Sequence, residues 1–305
     1  MNNKAAVRFL IVSDTHGLDL PDLETQSRLP KADVFLHCGD LTENGTLKEF
    51  QKAIDWLAGV DAELKLVIAG NHDLDLDKDF VAVHSGGELR HEKAICLWES
   101  ARQQGVVYLE EGTHTFTLRN GTSFAIFASP YQPLFDSVTA FKYPQLHDRF
   151  NPMDQGQPDA IYVGTKTSII PSGVEIVMTH GPAKSILDQL GDGRSRGCQN
   201  LMQAIARTKP LLHCFGHIHD AHGAYRIRWQ ENKSTAEELA IAGSHSYIAE
   251  PILDSEKTNR GYGIFPISDE PVIVPQEETL VVNASIGNER GKRVHSPWLV
   301  ELQLP

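Results

Sequence analysis

The chain contains little cysteine, since four of 305 residues are cysteine and no two of them form a CxxC pair. We therefore expect buried, reduced thiols, which fit a cytoplasmic protein. Long apolar runs are also missing, because none approaches the roughly 18–20 residues that span a bilayer. The N-terminus has no extended apolar core before its first strand, so neither a secretory signal nor a membrane partner is expected.

Positive charge is scarce as well, since 28 Lys and Arg stand against 40 Asp and Glu, for a formal net charge of −12. Such a surface disfavours binding to the phosphates of nucleic acids. A small phosphorylated substrate is not excluded, because two divalent cations would bring about four positive charges to one pocket. The 41% of hydrophobic residues is enough for a sizeable core.

Five short apolar runs each end at a cluster rich in His, Asp and Asn. Such runs are typical of buried strands, and in open α/β sheets the ligand crevice lies beyond the carboxyl ends of the strands. Carboxylate, amide and imidazole groups are metal ligands, so the sequence predicts one metal site at one sheet edge. The clusters are Ser13-Asp14-Thr15-His16, Gly39-Asp40, Gly70-Asn71-His72-Asp73, Thr179-His180-Gly181 and Gly216-His217-Ile218-His219.

The first hundred residues alternate between strand and helix patterns, which favours parallel βαβ units. Thr46 and Glu49 have the spacing of a capping box at a helix start. A later helical stripe is expected to stop at Gly105. Asn120-Gly121 lies between two strand patterns and predicts a hairpin, so antiparallel pairing enters the sheet there.

The rest of the chain is less regular. Five prolines break the pattern at about 129–160, and we expect a loop that covers the site. Helices are expected at about 182–190 and 199–208, and we interpret the polar, aperiodic residues 224–278 as an insertion or extended flap. Together these elements predict an α/β fold with one domain over residues 1–305. Its architecture would be a four-layer αββα sandwich of two mixed β-sheets flanked by helices, with a dimetal site at strand C-terminal ends.

The order of the motifs D-x-H, G-D, G-N-H-D, T-H-G and G-H-x-H resembles the calcineurin-like metallophosphoesterase superfamily. The closer resemblance is to its metallophosphoesterase-domain-containing (MPPED-like) branch and covers most of residues 7–223 and 279–303. The sequences that carry it are Asp14-Thr15-His16-Gly17, Thr179-His180-Gly181-Pro182, Phe215-Gly216-His217-Ile218-His219 and Asn283-Ala284-Ser285.

This resemblance implies seven metal ligands and two divalent cations. One cation would be held by Asp14, His16 and His219, a second by Asn71, His180 and His217, and both by a bridging Asp40. Mixed oxygen and nitrogen ligation without thiolate fits Mn²⁺, Fe or Zn²⁺ better than Mg²⁺. We expect Mn²⁺, with the other three as alternatives.

The resemblance also assigns a catalytic role to His72. In the superfamily the matching histidine donates a proton to the leaving oxygen or stabilises charge on the phosphoryl group. Asp73 is expected to orient His72 and to keep it protonated. The alternative for both residues is a purely local role, since Asp in particular is common at turns and helix starts.

Four further residues are candidates for substrate contact. Arg194 and Arg196 lie in a loop and could grip a phosphate or carboxylate, with a solvated basic loop as the alternative. Tyr131 could offer a stacking surface, and Asn283 could point into the site from its strand end. The chain departs from its MPPED-like relatives at 131–150, where they carry a tryptophan-rich sequence, and it is longer before Asn283.

Nine of the 14 histidines lie outside the motifs. His37 and His213 precede proposed ligands inside strands, and we expect them to pack or pair locally. His222 and His245 are candidates for the edge of the site. A lone histidine is otherwise more often a hydrogen-bonded structural residue than a ligand.

The expected function is a dinuclear metal-dependent phosphoric ester hydrolase acting on a small soluble substrate, nucleotide-like compounds included. A metal-bridging hydroxide would attack the phosphorus of a phosphomonoester or phosphodiester in line. A monoester needs groups for its two terminal charges, whereas a diester needs a more open cleft. Two alternatives stay open besides: a nucleotide-binding regulator with residual catalysis, and a dimetal hydrolase or lyase acting on a non-phosphate metabolite. The oligomeric state is left open.

Overall fold

The computed structural model describes residues 5–17, 29–84, 88–135, 139–230, 246–254, 261–266, 272–287 and 295–304. The strands in these ranges are β1 (Ala5–Val12), β2 (Val34–His37), β3 (Leu64–Val67), β4 (Val106–Tyr108), β5 (Gly112–Thr117), β6 (Ser123–Ser129), β7 (Gln132–Pro133), β8 (Lys142–Tyr143), β9 (His147–Asp148), β10 (Ile161–Tyr162), β11 (Ile176–Thr179), β12 (Leu212–Phe215), β13 (Gly223–Gln230), β14 (Ser246–Pro251), β15 (Gly263–Phe265), β16 (Glu278–Asn283) and β17 (Trp298–Leu304). The α-helices are α1 (Leu47–Ala58), α2 (Lys78–His84), α3 (Glu88–Ala101) and α4 (Gln199–Thr208). No helix among the described residues is long and apolar enough to cross a membrane.

Two large mixed sheets form the body of the protein. The first has six strands in the order β15-β17-β1-β2-β3-β4, and the second has seven in the order β14-β13-β16-β12-β11-β6-β5. Four neighbouring strands run parallel in each sheet, β1 to β4 in the first and β6, β11, β12 and β16 in the second. Antiparallel strands flank these blocks, and the predicted hairpin is confirmed because β5 pairs antiparallel with β6.

Side chains that alternate along the strands build three apolar layers. In β1, Phe9 and Ile11 join the core between the two sheets, whereas Leu10 and Val12 pack against α1 and α3. In the second sheet, Val177 of β11 packs on the opposite face, against α4. Successive residues of a strand point to opposite faces, so each sheet is buried on both sides. The predicted order of helix, sheet, sheet and helix is confirmed.

Helix ends follow the predicted signals. Thr46 caps α1 by accepting a hydrogen bond from the Glu49 amide, while the Glu49 carboxylate accepts the Thr46 amide at 2.9 Å. After α3, a short 3-10 turn ends at Gly105, whose φ of 74° suits a residue without a Cβ. A helix after β1 would fall on residues 18–28, which lie outside the described residues.

The irregular segments differ from the predictions in three places. Residues 182–190 are all described and form turns instead of a helix, because their backbone bonds across the loop, as in Arg196 N to Asp188 O at 2.8 Å. The expected loop at 129–160 contains the short strands β7, β8 and β9. Where residues 224–278 are described, they are not aperiodic, because β13 and β14 extend the second sheet and β15 the first. His245 lies outside the described residues.

Candidate metal centre and active site

Residues from both sheets meet where the parallel strands end. The loop after β1 carries Asp14 and His16, the loop after β2 carries Asp40, the loop after β3 carries Asn71, the loop after β11 carries His180, and the loop after β12 carries His217 and His219. Parallel strands place their carboxyl ends at the same edge, which is where α/β proteins bind ligands. The structure therefore brings all seven predicted ligand residues into one region.

Four of these seven residues have a left-handed backbone. The φ angles are 57° at Asp14, 48° at His16, 53° at Asp40 and 66° at His217. For residues with a Cβ, such conformations cost on the order of 1–3 kcal/mol each and concentrate at functional sites. Here they turn the chain sharply out of each strand, which aims the side chains at a common centre.

The first cluster contains Asp14, His16 and His219, whose possible ligand atoms all lie within 4.8 Å of one another. His219 Nε2 lies 3.3 Å from Asp14 Oδ1 and 3.3 Å from His16 Nε2. The Asp14 carboxylate also accepts the His217 amide at 3.0 Å. This bond fixes the loop after β12 on the loop after β1, so the two halves of the site are held in register.

The second cluster contains Asn71, His180 and His217. His180 is completely buried, and its Nε2 lies 3.0 Å from Asn71 Oδ1. Its other ring nitrogen, Nδ1, lies 2.9 Å from the carbonyl oxygen of Cys38, which fixes the ring orientation. The His217 ring packs edge-on against His180, with ring centroids 5.0 Å apart.

Asp40 connects the two clusters. Its Oδ2 lies 3.7 Å from His16 Nε2 in the first cluster and 3.5 Å from His180 Nε2 in the second. Its Oδ1 accepts the backbone amide of His72 at 2.8 Å. The Asp40 side chain is almost completely buried, so both carboxylate oxygens face protein groups of the site and not solvent. A carboxylate in this position could serve as a ligand shared by two neighbouring cations.

Charges in the site shift pKa values in opposite directions. Burial opposes ionisation of Asp40, but the positive ring of His180 outweighs it and holds the pKa of Asp40 well below its usual value. Burial also disfavours charge on His180, yet Asp40 outweighs it and raises the pKa of His180 to about 9. The pKa of Asp14 is lowered in the same way, with burial opposed by the hydrogen bond and charge of His219. Both carboxylates are thus held in the ionised form, and a cation could take the place of the protons on the histidines that face them.

The donor set fits divalent cations. The Cys38 carbonyl can only accept a hydrogen bond, so His180 Nδ1 carries the proton that it shares with this oxygen. A divalent cation would therefore take the place of the second proton of His180, at Nε2, which faces the oxygens of Asn71 and Asp40. Acceptor atoms that converge in a buried site need a positive centre between them. Oxygen and imidazole ligands without thiolate suit Mn²⁺, Fe or Zn²⁺.

His72 lies beside the first cluster and is partly open to solvent, with 36% of its side chain exposed. Its ring packs edge-on against His16 at a centroid distance of 4.8 Å. Its Nδ1 lies 2.9 Å from the carbonyl oxygen of Glu43, an acceptor, so the proton of a neutral ring belongs on Nδ1. Nδ1 is therefore occupied by the protein, and Nε2 is the nitrogen left to act on a substrate.

The prediction that the Asp73 carboxylate orients the His72 ring is wrong, because Asp73 bonds to other residues. Asp73 is completely buried, and its Oδ2 accepts the amides of Gly70 and Leu41 at 2.8 and 3.2 Å. Its Oδ1 accepts the Thr42 amide at 3.0 Å and the Thr42 hydroxyl at 2.7 Å. Burial, followed by the charge of Asp40, raises the pKa of Asp73 to about 7. Asp73 thus joins the loops after β2 and β3, while the Glu43 carbonyl orients His72.

Two buried histidines outside the clusters pair locally, as predicted. His37 Nε2 lies 3.0 Å from Thr15 Oγ1, and His213 Nε2 lies 3.0 Å from Thr179 Oγ1. Each threonine hydroxyl also donates to a backbone carbonyl, so it accepts from the neutral histidine. Burial lowers the pKa of both rings to about 3. The matching pairs stiffen the strand ends of the two sheets in the same way.

The predicted substrate residues have partners within the protein. Arg194 Nε pairs with the Asp192 carboxylate at 2.6 Å on the surface. The guanidinium of Arg196 lies 4.8 Å from the ring centroid of Phe135. These contacts place both arginines against neighbouring side chains.

The other two candidates are packed more tightly. The guanidinium of Arg149 covers one face of the Tyr131 ring at 3.7 Å from its centroid. Asn283 is completely buried and its amide donates to the carbonyl of Ile218 at 2.8 Å. Ile218 lies between the proposed ligands His217 and His219, so Asn283 holds their loop in place. Its strand-end position near the site was predicted, but its side chain binds the loop.

Two residues near the clusters, Glu43 and Lys142, were not predicted from the sequence. Glu43 Oε2 lies 3.4 Å from His16 Nδ1, in addition to the carbonyl contact with His72. Burial holds the pKa of His217 well below its usual value, and the charge of His180 lowers it further. The charge of Lys142 acts on the pKa of His217 in the same direction. For Glu43 the signal was its place three residues after Asp40, whereas no local pattern distinguishes Lys142.

Gly216→Ala is expected to destabilise the protein by about 1–3 kcal/mol and to lower metal content. A Cβ at this position would overlap the Asp14 carboxylate and the Ser13 hydroxyl. Denaturant unfolding and elemental analysis measure the two effects. Gly223→Ala is the matched control, because its Cβ would meet a flexible Leu187 methyl at 3.2 Å. Unchanged stability and metal content in Gly216→Ala would contradict this packing argument.

Comparison with known proteins finds relatives over most of the chain. A family model described as Calcineurin-like phosphoesterase matches residues 7–221. The chain is similar to Metallophosphoesterase domain-containing protein 1 of Homo sapiens, with 33% identity over 71% of this chain and 61% of the human protein. It is also similar to Probable rhamnogalacturonate lyase C of Emericella nidulans, with 35% identity over 73% of this chain and 18% of that protein. The match thus spans less than two thirds of the length of either relative, while the family match contains every residue of the two clusters.

Proposed function

The chain belongs to the calcineurin-like phosphoesterase family, and from this premise we propose that it hydrolyses a phosphomonoester or phosphodiester in a small soluble substrate, nucleotide-like compounds included. The observation that carries the proposal is the position of Asp40. One carboxylate oxygen faces a histidine of each cluster at 3.5 and 3.7 Å, which suits a shared ligand of two divalent cations. Mn²⁺ is our choice among the ions that this donor set fits.

The two clusters would divide the ligands between the cations. The first would be held by Asp14, His16 and His219, the second by Asn71, His180 and His217, and Asp40 would serve both. Bound divalent cations would supply a water acidic enough to act as a nucleophile and would neutralise the phosphoryl oxygens. The protein's own part is to hold these side chains rigidly, through the Cys38 carbonyl on one ring and the His217 amide on Asp14.

His72 would act on the leaving group. Its Nδ1 is held by the Glu43 carbonyl, so Nε2 can approach the oxygen that departs from phosphorus. A positioned general acid contributes roughly 10²- to 10⁴-fold to such reactions. Asp73 would contribute indirectly, because it fixes the backbone on both sides of His72 through the loops that it joins.

The proposal extends to the domain and its location. Residues 1–305 would form a single domain, since β15 and β17, from the C-terminal part of the chain, complete the sheet that begins with β1. A cytoplasmic location agrees with four cysteines that form no disulfide among the described residues.

Metal content and ester hydrolysis test the function together. We expect elemental analysis to find about two divalent ions per chain, and the Mn²⁺-loaded protein to hydrolyse p-nitrophenyl phosphate or bis-p-nitrophenyl phosphate. Removal of the metal by a chelator should abolish turnover, and added Mn²⁺ should restore it. Two bound ions without turnover of either ester would count against the phosphoesterase and favour the regulator or the non-phosphate hydrolase. A protein that retains no divalent ion after incubation with Mn²⁺ would refute the site itself.

A further inference from the structure

The segment 140–143 is fixed between the two loops that carry the second cluster. The Ala140 amide donates to the carbonyl of Asn71 at 3.3 Å, and the Phe141 amide donates to the Asp77 carboxylate at 2.5 Å. The segment thus lies directly against a proposed ligand residue. This region belongs to the stretch 131–150, which the sequence analysis identified as a departure from MPPED-like proteins.

The other side of the segment contacts the loop that carries His180. Gln132 of β7 pairs in register with Lys142 of β8, and the Gln132 amide donates to the Phe141 carbonyl at 3.0 Å. Gln132 also packs tightly on Gly181, where an added Cβ would come within 2.7 Å of the Gln132 Cβ. Lys142 is therefore one strand pairing away from the residue that follows His180.

The Lys142 side chain is half-buried. It belongs to the same face of the strand pair as the side chain of Gln132, its partner in register, and the Gln132 side chain packs on Gly181 next to His180. The two arginines expected to bind an anion contact Asp192 and Phe135 instead. Lys142 is thus a basic residue in a segment fixed on Asn71 and near His180.

We propose that Lys142 binds a terminal phosphoryl oxygen of the substrate and makes the site selective for phosphomonoesters over phosphodiesters. This inference rests on the proposed phosphoesterase function and names its substrate class. A phosphomonoester carries about −1.5 to −2 charge at neutral pH, whereas a diester has one ionisable oxygen fewer. A fixed ammonium beside the cations therefore favours the monoester. It would donate a hydrogen bond to a terminal phosphoryl oxygen, and in a diester that position carries the second ester group.

Lys142→Gln and Lys142→Arg test the assignment in the Mn²⁺-loaded full chain. In Lys142→Gln, kcat/KM for p-nitrophenyl phosphate should fall roughly 10- to 100-fold, as expected for one charge-assisted hydrogen bond. For bis-p-nitrophenyl phosphate, kcat/KM should change by less than about threefold, which is no more than the loss of an ordinary surface charge would cause. Lys142→Arg should recover most of the monoester activity. Lys93→Gln, an exposed residue on α3, makes the same change of net charge and should behave like wild type.

Equal losses for both esters, or no loss for the monoester, would overturn the inference. Calorimetric binding of inorganic phosphate to the Mn²⁺-loaded protein gives a readout without turnover. Lys142→Gln should weaken phosphate binding by a similar factor, and unchanged binding would also overturn the inference. If wild type hydrolyses neither ester, the proposed function fails, and the phosphate titration still decides the role of Lys142. Lys142→Met, which keeps the unbranched stem, replaces Lys142→Gln if the latter does not fold.

Discussion

Asp40→Ala is expected to bind at most one divalent ion per chain and to lose at least roughly 10³-fold in kcat/KM, since each lost cation removes several kcal/mol of transition-state stabilisation. The reason is geometric. Asp40 Oδ2 lies 3.7 Å from His16 Nε2 and 3.5 Å from His180 Nε2, and among the described residues no other carboxylate is recorded this close to a ring nitrogen of each cluster. Elemental analysis and assays with p-nitrophenyl esters measure the two losses.

The variant Asp40→Asn separates charge from shape. The amide oxygen can still accept the His72 amide, which Asp40 accepts at 2.8 Å, but the negative charge is gone. We expect Asp40→Asn to fold more stably than Asp40→Ala and to lose metal nonetheless. Asp154→Ala removes an exposed carboxylate and should keep two ions and full activity. Two bound ions in Asp40→Ala would show that Asp40 does not bridge.

The convergence of the five motifs could be predicted because strand patterns and chemistry coincide in the sequence, whereas the assignment of seven ligands came from the resemblance to the metallophosphoesterases. Each apolar run is buried in the structure and stops where a His, Asp or Asn begins, as at Asp14 and Asp40. Parallel strands deliver their ends to one edge, so the order of the motifs along the chain was enough to infer convergence. The left-handed backbone conformation of these residues could not be predicted from the sequence, because Asp and His adopt it only where the surrounding fold enforces it.

The partners of His72 and Asp73 were beyond sequence reasoning. Adjacent residues in a turn can point apart, and here His72 faces the Glu43 carbonyl while Asp73 faces backbone amides on the opposite side. A carbonyl oxygen leaves no signal in the sequence, since every residue has one. The role of Lys142 depends on the packing of β7 and β8, two-residue strands that are far too short for a periodic pattern.

The basic loop around Arg194 has local contacts that its composition did not reveal. Its composition suggested anion binding, but Asp192 lies two residues earlier and takes up the guanidinium at 2.6 Å. The same loop forms backbone bonds to residues 184–190, which prevents the helix predicted there. The Asp192 carboxylate thus pairs with the Arg194 guanidinium, a charge that composition alone assigned to substrate binding.

His72→Ala is expected to keep two divalent ions and to lose roughly 10²- to 10⁴-fold in kcat/KM, the usual contribution of general acid catalysis. The ions should stay because the proposed ligands contact His72 only through its backbone amide and an edge-on ring contact. The loss should depend on the leaving group. A nitrophenolate departs without a proton, whereas an alkoxide needs one, so alkyl phosphates should lose far more than p-nitrophenyl phosphate.

This dependence on the leaving group separates two possible roles of His72. If the ring only stabilises charge on the phosphoryl group, both esters should slow by the same factor, because that charge is common to them. His84→Ala is the matched control, since His84 is exposed and its Nδ1 also lies near a backbone carbonyl, that of Phe80 at 3.1 Å. Metal loss in His72→Ala would make His72 a ligand instead, consistent with its ring nitrogen lying within 4.8 Å of ligand atoms of His16 and Asp40. Retained metal with a leaving-group-dependent loss would assign the proton to His72 Nε2, since the Glu43 carbonyl occupies Nδ1.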